Sequence, residues 1–212
     1  PVTLASFVMP GMDALNAAII PERLQSTGVP VRLATKLYGE FSSMAMGLIG
    51  LPTVVTQAIA TSLVPSISAA YVSGGRQRAS LHIREALRLA ILIGFPSFVG
   101  LRILSREISE MLFNCPEAGG PLSILAFGAL FLCIQQVCSA ILQALGWTYD
   151  PVRNLSIGVL TGATLTYLFI SIPRLGINGA ALGTGIGLAI SGTLNFLSVW
   201  GRFGGKFGLF PH

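Results

Sequence analysis

The chain has 212 residues, of which 52% are hydrophobic and only 10% charged, with a net charge of +5 and a mean hydropathy of +0.75. Such a composition excludes disorder, which requires low hydrophobicity, and it holds under half the ~25% charged content of an ordinary soluble domain. Its basic excess flanks apolar runs, as the positive-inside rule expects of membrane proteins, so no nucleic-acid partner is expected.

Residues 41–75, 121–149, 154–173 and 175–201 carry no charge at all, and residues 1–21 carry only Asp13. A helix needs about 20 apolar residues to cross the ~30 Å hydrocarbon core of a bilayer. The expected fold is therefore an all-α, polytopic membrane protein with six transmembrane helices. Barrel strands would alternate apolar and polar residues, and these runs are continuous. The 25 glycines and 12 prolines fit inside the runs, because neighbouring helices re-satisfy the backbone groups they free.

The first span is expected over residues 1–21. Its Asp13 is the one acid well inside a span, and a carboxylate at that depth costs about 2.5–3.5 kcal/mol unless it faces a bundle interior or a water-filled path. Asn16 and Ser6 lie on the same helical face as Asp13. The three make a polar stripe suited to a substrate or a coupling cation, or to a buried hydrogen bond with a neighbouring helix. Residues 22–40 form a polar connection with room for a short helix. The second span covers 41–65 and carries Gln57. A basic loop follows, in which Arg76, Arg78, Arg84 and Arg88 face only Glu85. This loop marks the cytoplasmic side and offers anionic lipid a site at the inner leaflet. An even number of spans then places both termini inside, and Arg202 and Lys206 agree.

The third span covers 86–104. Bends are expected at Pro10, Pro52 and Pro96, where proline removes a backbone donor and clashes one turn back. Residues 105–113 (SREISEMLF) read as the amphipathic helical end of the third span, lying in the membrane interface with Ile108, Met111 and Leu112 on one side. The fourth span, 121–145, carries Gln135, Gln136, Ser139 and Gln143, of which 135, 139 and 143 repeat at i+4. Glutamines hold polar head groups and also glue helices together. Glue is the stronger reading, for these residues as for Gln57 and Asn195. The fifth span covers 154–173 and the sixth 176–200. In the sixth, Gly179, Gly183, Gly187 and Ser191 recur every four residues, a small-residue ridge that permits close helix packing. A nucleotide-binding glycine loop is excluded there, because no strand precedes it.

No Ser/His/Asp or paired-carboxylate arrangement emerges, so no enzyme is expected. Cys115, Cys133 and Cys138 have no metal-ligand spacing, and neither a metal nor a disulfide is expected. No cofactor is expected beyond a coupling proton or Na⁺. Pro1 in place of an initiator Met, with no signal-peptide pattern, suggests a piece of a longer protein.

Residues 37–71 (LYGEFSSMAMGLIGLPTVVTQAIATSLVPSISAAY) resemble a known family. They share Leu51–Pro52 and the segment from Thr61 to Ser68 with the polysaccharide transporter and stage V sporulation protein B branch of the multidrug/oligosaccharidyl-lipid/polysaccharide exporter superfamily. Residues 85–96, 141–158 and 175–187 (LGINGAALGTGIG) extend the likeness over most of the chain. The resemblance implies one six-helix lobe, helices seven to twelve, of a two-lobe transporter with a central cavity. It implies a partner N-terminal lobe, a cell-membrane location and a lipid-linked saccharide substrate such as a peptidoglycan or polysaccharide precursor. It also implies that the first span faces the cavity, which bears on Asp13 and Asn16. Lipid II flippases of the superfamily use cavity arginines for pyrophosphate, and the first span here has none. A cation-coupled multidrug antiporter and a non-transporting membrane assembly protein are the alternative expectations.

Overall fold

The computed structural model describes residues 2–172 and 174–203, with the side chains of residues 2–9, Met12 and Gly74 outside that description. Among the described residues the chain is helical and has no strand. The helices are α1 (Val2–Ser26), α2 (Val31–Gly39), α3 (Met46–Ile103), α4 (Ser105–Phe113), α5 (Gly119–Ala144), α6 (Tyr149–Ile170) and α7 (Ile177–Phe203). A π-turn over Glu40–Ala45 joins α2 to α3 without a loop. Among the described residues, four helices are long and apolar enough to cross a membrane: Val31–Ser73, Gly75–Ile103, Pro116–Ala144 and Ile177–Phe203. The chain is thus a multi-pass membrane protein. The first and fifth expected spans, which lie in α1 and α6, are not among those four. Asp150, Arg153 and Asn154 dilute α6, while part of α1 lies outside the residues whose side chains are described.

The basic loop expected after residue 73 is instead helical. Within α3 only Gly75 leaves the helical region, with φ 67° and ψ −165°, a conformation essentially reserved for glycine. Thr56 hydrogen-bonds Gln136 of α5, while a methyl at Gly94 would touch Leu130 and Cys133 of the same helix. Thr56 and Gly94 lie equally far from Gly75 on opposite sides. Ile67 and Ile83 are also equidistant from it and share one core cluster. The two arms of α3 are therefore an antiparallel hairpin laid on α5, turned by one residue. The second arm, Gly75–Ile103, has 29 residues and measures about 43 Å at 1.5 Å per residue. This exceeds the ~30 Å hydrocarbon core, and the first three turns of the arm hold Arg76, Arg78 and Arg84. α3 continues through Pro52, Pro65 and Pro96.

α5 sits at the centre, with the α3 hairpin on one side and α7 on another. α6 packs on α7, and α1 leans on α6. One apolar cluster gathers Ile20, Leu24, Phe41, Leu48, Leu101, Leu122 and Leu125 with Ala180 and Leu188. A second gathers Ile67, Ile83, Leu87, Val137, Ile141, Leu142 and Val199 near the Gly75 turn. Along α5 these clusters occupy the two ends, and the middle carries Cys133, Gln135 and Gln136.

The ridge of α7 seats it against α6. A methyl at Gly179 would come within 2.7 Å of the Phe169 backbone, one at Gly183 would strike Thr166, and one at Gly187 would meet Gly158 and Gly162. With no hydrophobic drive between helices in lipid, such close backbone approach is what van der Waals packing can exploit. α5 ends at Gly146, whose φ of 84° lets Trp147 N donate to Leu142 O at 2.8 Å and Gly146 N to Gln143 O at 3.0 Å, a Schellman closure of the last carbonyls. α4 is a separate helix and not the end of the third span, because Leu104, at φ −97° and ψ 18°, breaks α3 before it. It turns Ser105 and Ser109 inward and leaves Met111, Leu112 and Phe113 exposed.

Candidate functional site

The first arm of α3 and the middle of α5 present one polar cleft. Gln57, Gln135, Gln136 and Gln143 line it with Thr53 and Ser139, around a cavity of about 290 Å³. A second cavity of about 340 Å³ shares Gln57, Ala140 and Gln143 and continues the cleft past Thr61 and Pro65. Thr56 Oγ1 donates to Gln136 Oε1 at 2.8 Å, and Gln136 Nε2 donates to Gln57 Oε1. Both ends of the Gln136 amide are therefore held across the α3–α5 boundary. Gln135 and Gln136 lie within about two turns of the middle of α5, inside a helix long and apolar enough to cross a membrane. Residues 53, 57, 60 and 64 share one face of the first arm, while Leu51, Val54 and Val55 are exposed on the other.

Asn16 is placed elsewhere. It is buried, at 6% exposure, in a cavity of about 10 Å³ lined by Gly158, Gly162, Thr184, Gly187 and Ser191, room for a single water. Its stripe on α1 is Asn16, Ile20 and Leu24, the i+4 series that packs the helix down. Asp13 is exposed, so the polar stripe read from the sequence divides: Asn16 turns into the bundle and Asp13 out of it. The Ser6 side chain lies outside the described residues.

Asn195 is fully buried and ties three helices together. Asn154 Nδ2 donates to Asn195 Oδ1 and to Ser198 Oγ, both at 2.9 Å, and Asn195 Nδ2 donates to Ser139 Oγ at 2.9 Å. At the same end of the bundle, the buried Asp150 receives Arg202, whose guanidinium also stacks 4.5 Å above the Trp147 ring. Arg76 and Arg78 are exposed beside the Gly75 turn, Arg84 is half-buried, and Arg88 is exposed halfway along the second arm. At the opposite end, Lys36 bridges Glu40 at 3.4 Å and Glu117 at 3.3 Å. Cys115 donates to Glu40 Oε1 at 3.3 Å. Loss of solvent pushes the Cys115 thiol above its ordinary value, and the bond to Glu40 adds to the rise.

Glu40, Cys115 and Glu117 bring their ligand atoms within 4.8 Å of one another, a juxtaposition that cysteine spacing alone could not reveal. Lys36 already bridges both carboxylates, so the cluster reads as an ion-pair network. The sequence also gave no sign of Thr56 or Asn154 as members of polar networks. Their only hint was polarity inside an apolar run.

Comparison with known proteins adds a family to this geometry. Residues 39–207 match the family model described as "Lipid II flippase MurJ". Stage V sporulation protein B of Bacillus subtilis (strain 168) is 31% identical over 181 residues, which cover 85% of this chain and 35% of that protein. Lipid II flippase MurJ of the same organism is 24% identical over 158 residues, covering 72% and 28%. Its probable multidrug resistance protein YpnP is 35% identical over 96 residues, covering 45% and 22%. No solved structure matches. The chain spans about a third or less of the length of these relatives. The match extends over most of the chain and takes in both arms of α3, α5, α6 and α7: the chain belongs to the lipid II flippase MurJ family, in the polysaccharide transporter and stage V sporulation protein B branch of its superfamily.

Proposed function

We propose that this chain forms one six-helix lobe of a two-lobe exporter, which moves a lipid-linked saccharide precursor across the cytoplasmic membrane by alternating access. The observation that carries this reading is an uncharged polar cleft at membrane depth in a member of a flippase family. Exposed amides cannot face acyl chains without large cost. The cleft face of α3 and α5 therefore looks onto a water-filled cavity shared with a second lobe, and the Val54 and Leu92 faces look onto lipid. α1 and α6 complete the six spans. Both termini lie in the cytoplasm, because Arg76, Arg78 and Arg84 gather at the same end as Arg153 and Arg202. Asp13, exposed on α1, faces the cavity, where it would hold a coupling proton or Na⁺.

The test is translocation of lipid-linked precursor in cells that depend on the intact protein. Gln136→Leu and Asp13→Ala should each lower transport at normal expression. Undiminished transport by both overturns the site. A second reading, a cation-coupled drug antiporter, is favoured by the likeness to the probable multidrug resistance protein. It predicts drug efflux that follows a pH or Na⁺ gradient and vanishes in Asp13→Asn, with precursor transport untouched.

A further inference from the structure

We propose that the α3–α5 cleft is a subsite for the saccharide part of the transported molecule, and that it takes neutral sugar hydroxyl and acetamido groups and rejects the pyrophosphate. This rests on the exporter reading and deepens it.

Three features of the cleft converge. The first is its chemistry. Its polar lining is Gln57, Gln135, Gln136, Gln143, Thr53 and Ser139, with Thr61 in the continuation, and among the described residues no ionisable side chain lines either cavity. An amide offers two donors and a two-lone-pair acceptor, and a hydroxyl offers one donor and two lone pairs. Both match a polyol or an acetamido group, which itself donates and accepts. A pyrophosphate only accepts, and it calls for Arg, Lys or a helix N-terminus. No cation lines this cleft, and a dianion entering it would lose its hydration against neutral dipoles.

The second feature is shape. The two cavities, about 290 and 340 Å³, meet at Gln57, Ala140 and Gln143. Each is at the lower end of the ~300–1,000 Å³ range of small-molecule sites, and together they make a trough along α5 longer than a single ring. Leu132, Ala140, Val64 and Pro65 supply apolar lining for the C–H faces of a sugar.

The third is preorganisation. Gln136 is held by Thr56 on one side and engages Gln57 on the other, so the first arm of α3 and α5 present their amides in a fixed relation. Ligand binding need not first order these side chains.

The experiment uses the intact protein in lipid nanodiscs with Ala140→Cys, a position shared by both cavities, and follows its modification by a water-soluble maleimide. The probes are N,N′-diacetylchitobiose and inorganic pyrophosphate. We expect the Ala140→Cys thiol to react, the disaccharide to slow it severalfold, and pyrophosphate to leave its rate unchanged. Adding Gln136→Leu should abolish the protection. So should Gln143→Leu, which alters an exposed side chain and leaves the α3–α5 packing intact. A reactive thiol that neither probe protects, or that pyrophosphate protects, overturns the saccharide subsite while the exporter reading stands. Protection that survives both glutamine substitutions overturns the subsite too. A thiol that the reagent cannot reach overturns the exporter reading and the subsite with it.

Discussion

Asp150 at the start of α6 is bound by Arg202 near the end of α7, and the same guanidinium covers the Trp147 ring. One arginine therefore clamps the α5–α6 turn to the last helix. The Asp150 side chain is 9% exposed and that of Arg202 39%. Removing one partner of a buried pair costs about 3–5 kcal/mol, and the half-open arginine reduces this to about 2 kcal/mol. Arg202→Met should lower the melting temperature of the purified protein in detergent, and the double variant with Asp150→Asn should lose less than the two single losses combined. Additive losses would show that the pair is not coupled.

The seam between α6 and α7 has no room for a side chain at Gly183, where an added methyl would strike Thr166. Gly183→Leu should destabilise by about 3 kcal/mol or more, because overpacking forces the backbones apart. Gly47→Ala serves as the control. It has open space around it, and replacing a mid-helix glycine by alanine gains about 0.5–1 kcal/mol. Size-exclusion profiles after heating would separate the two. Equal behaviour would remove the seam as a packing determinant.

Gly75→Ala probes the hairpin turn. At φ 67° and ψ −165° an alanine is strained by about 1–3 kcal/mol. The loss should appear as a lower melting temperature, and Gly50→Ala, in open helical surroundings, should not share it.

Cys115 gives a prediction in pH. Its thiol is raised above the ordinary value, first by loss of solvent and next by the bond to Glu40. A raised value means less thiolate at a given pH, and the thiolate is the nucleophile. Alkylation of Cys115 should therefore show a midpoint above 9.0, the ordinary value. Glu40→Gln removes the carboxylate's charge and should lower the midpoint, with the effect of burial remaining. An unchanged midpoint in Glu40→Gln would separate the thiol from the carboxylate.

What could be read from the sequence depended on the range of the interaction. Apolar runs report burial in lipid residue by residue, so apolar helices at 41–65, 86–104, 121–145 and 176–200 were visible, the last two with close bounds and the first two short of the helices Val31–Ser73 and Gly75–Ile103 by some ten residues. Gln135, Ser139 and Gln143 fall on one helical face by periodicity alone. The partners of the adjacent Gln136, Thr56 and Gln57, lie some eighty positions away, and no local pattern announces such a pairing. The same holds for Glu40 with Cys115. Arg76 and Arg78 looked like loop residues because polarity marks the edge of the bilayer and not the end of a helix, which here depends on the backbone of Gly75. Asp13 and Asn16 seemed to form one stripe, but three residues advance 300° around a helix. That offset is enough to bury one residue and expose the other.

The single-residue turn at Gly75 bears on how this protein enters the membrane during synthesis. Arg76 and Arg78 directly follow the turn, with no flexible stretch to decouple the two arms. Threading the first arm too far would draw those guanidinium groups into hydrocarbon, at about 2.5–3.5 kcal/mol each. The charges thus act as a stop at the tip of the hairpin. With a turn this short, the depth of one arm in the bilayer is tied to that of the other.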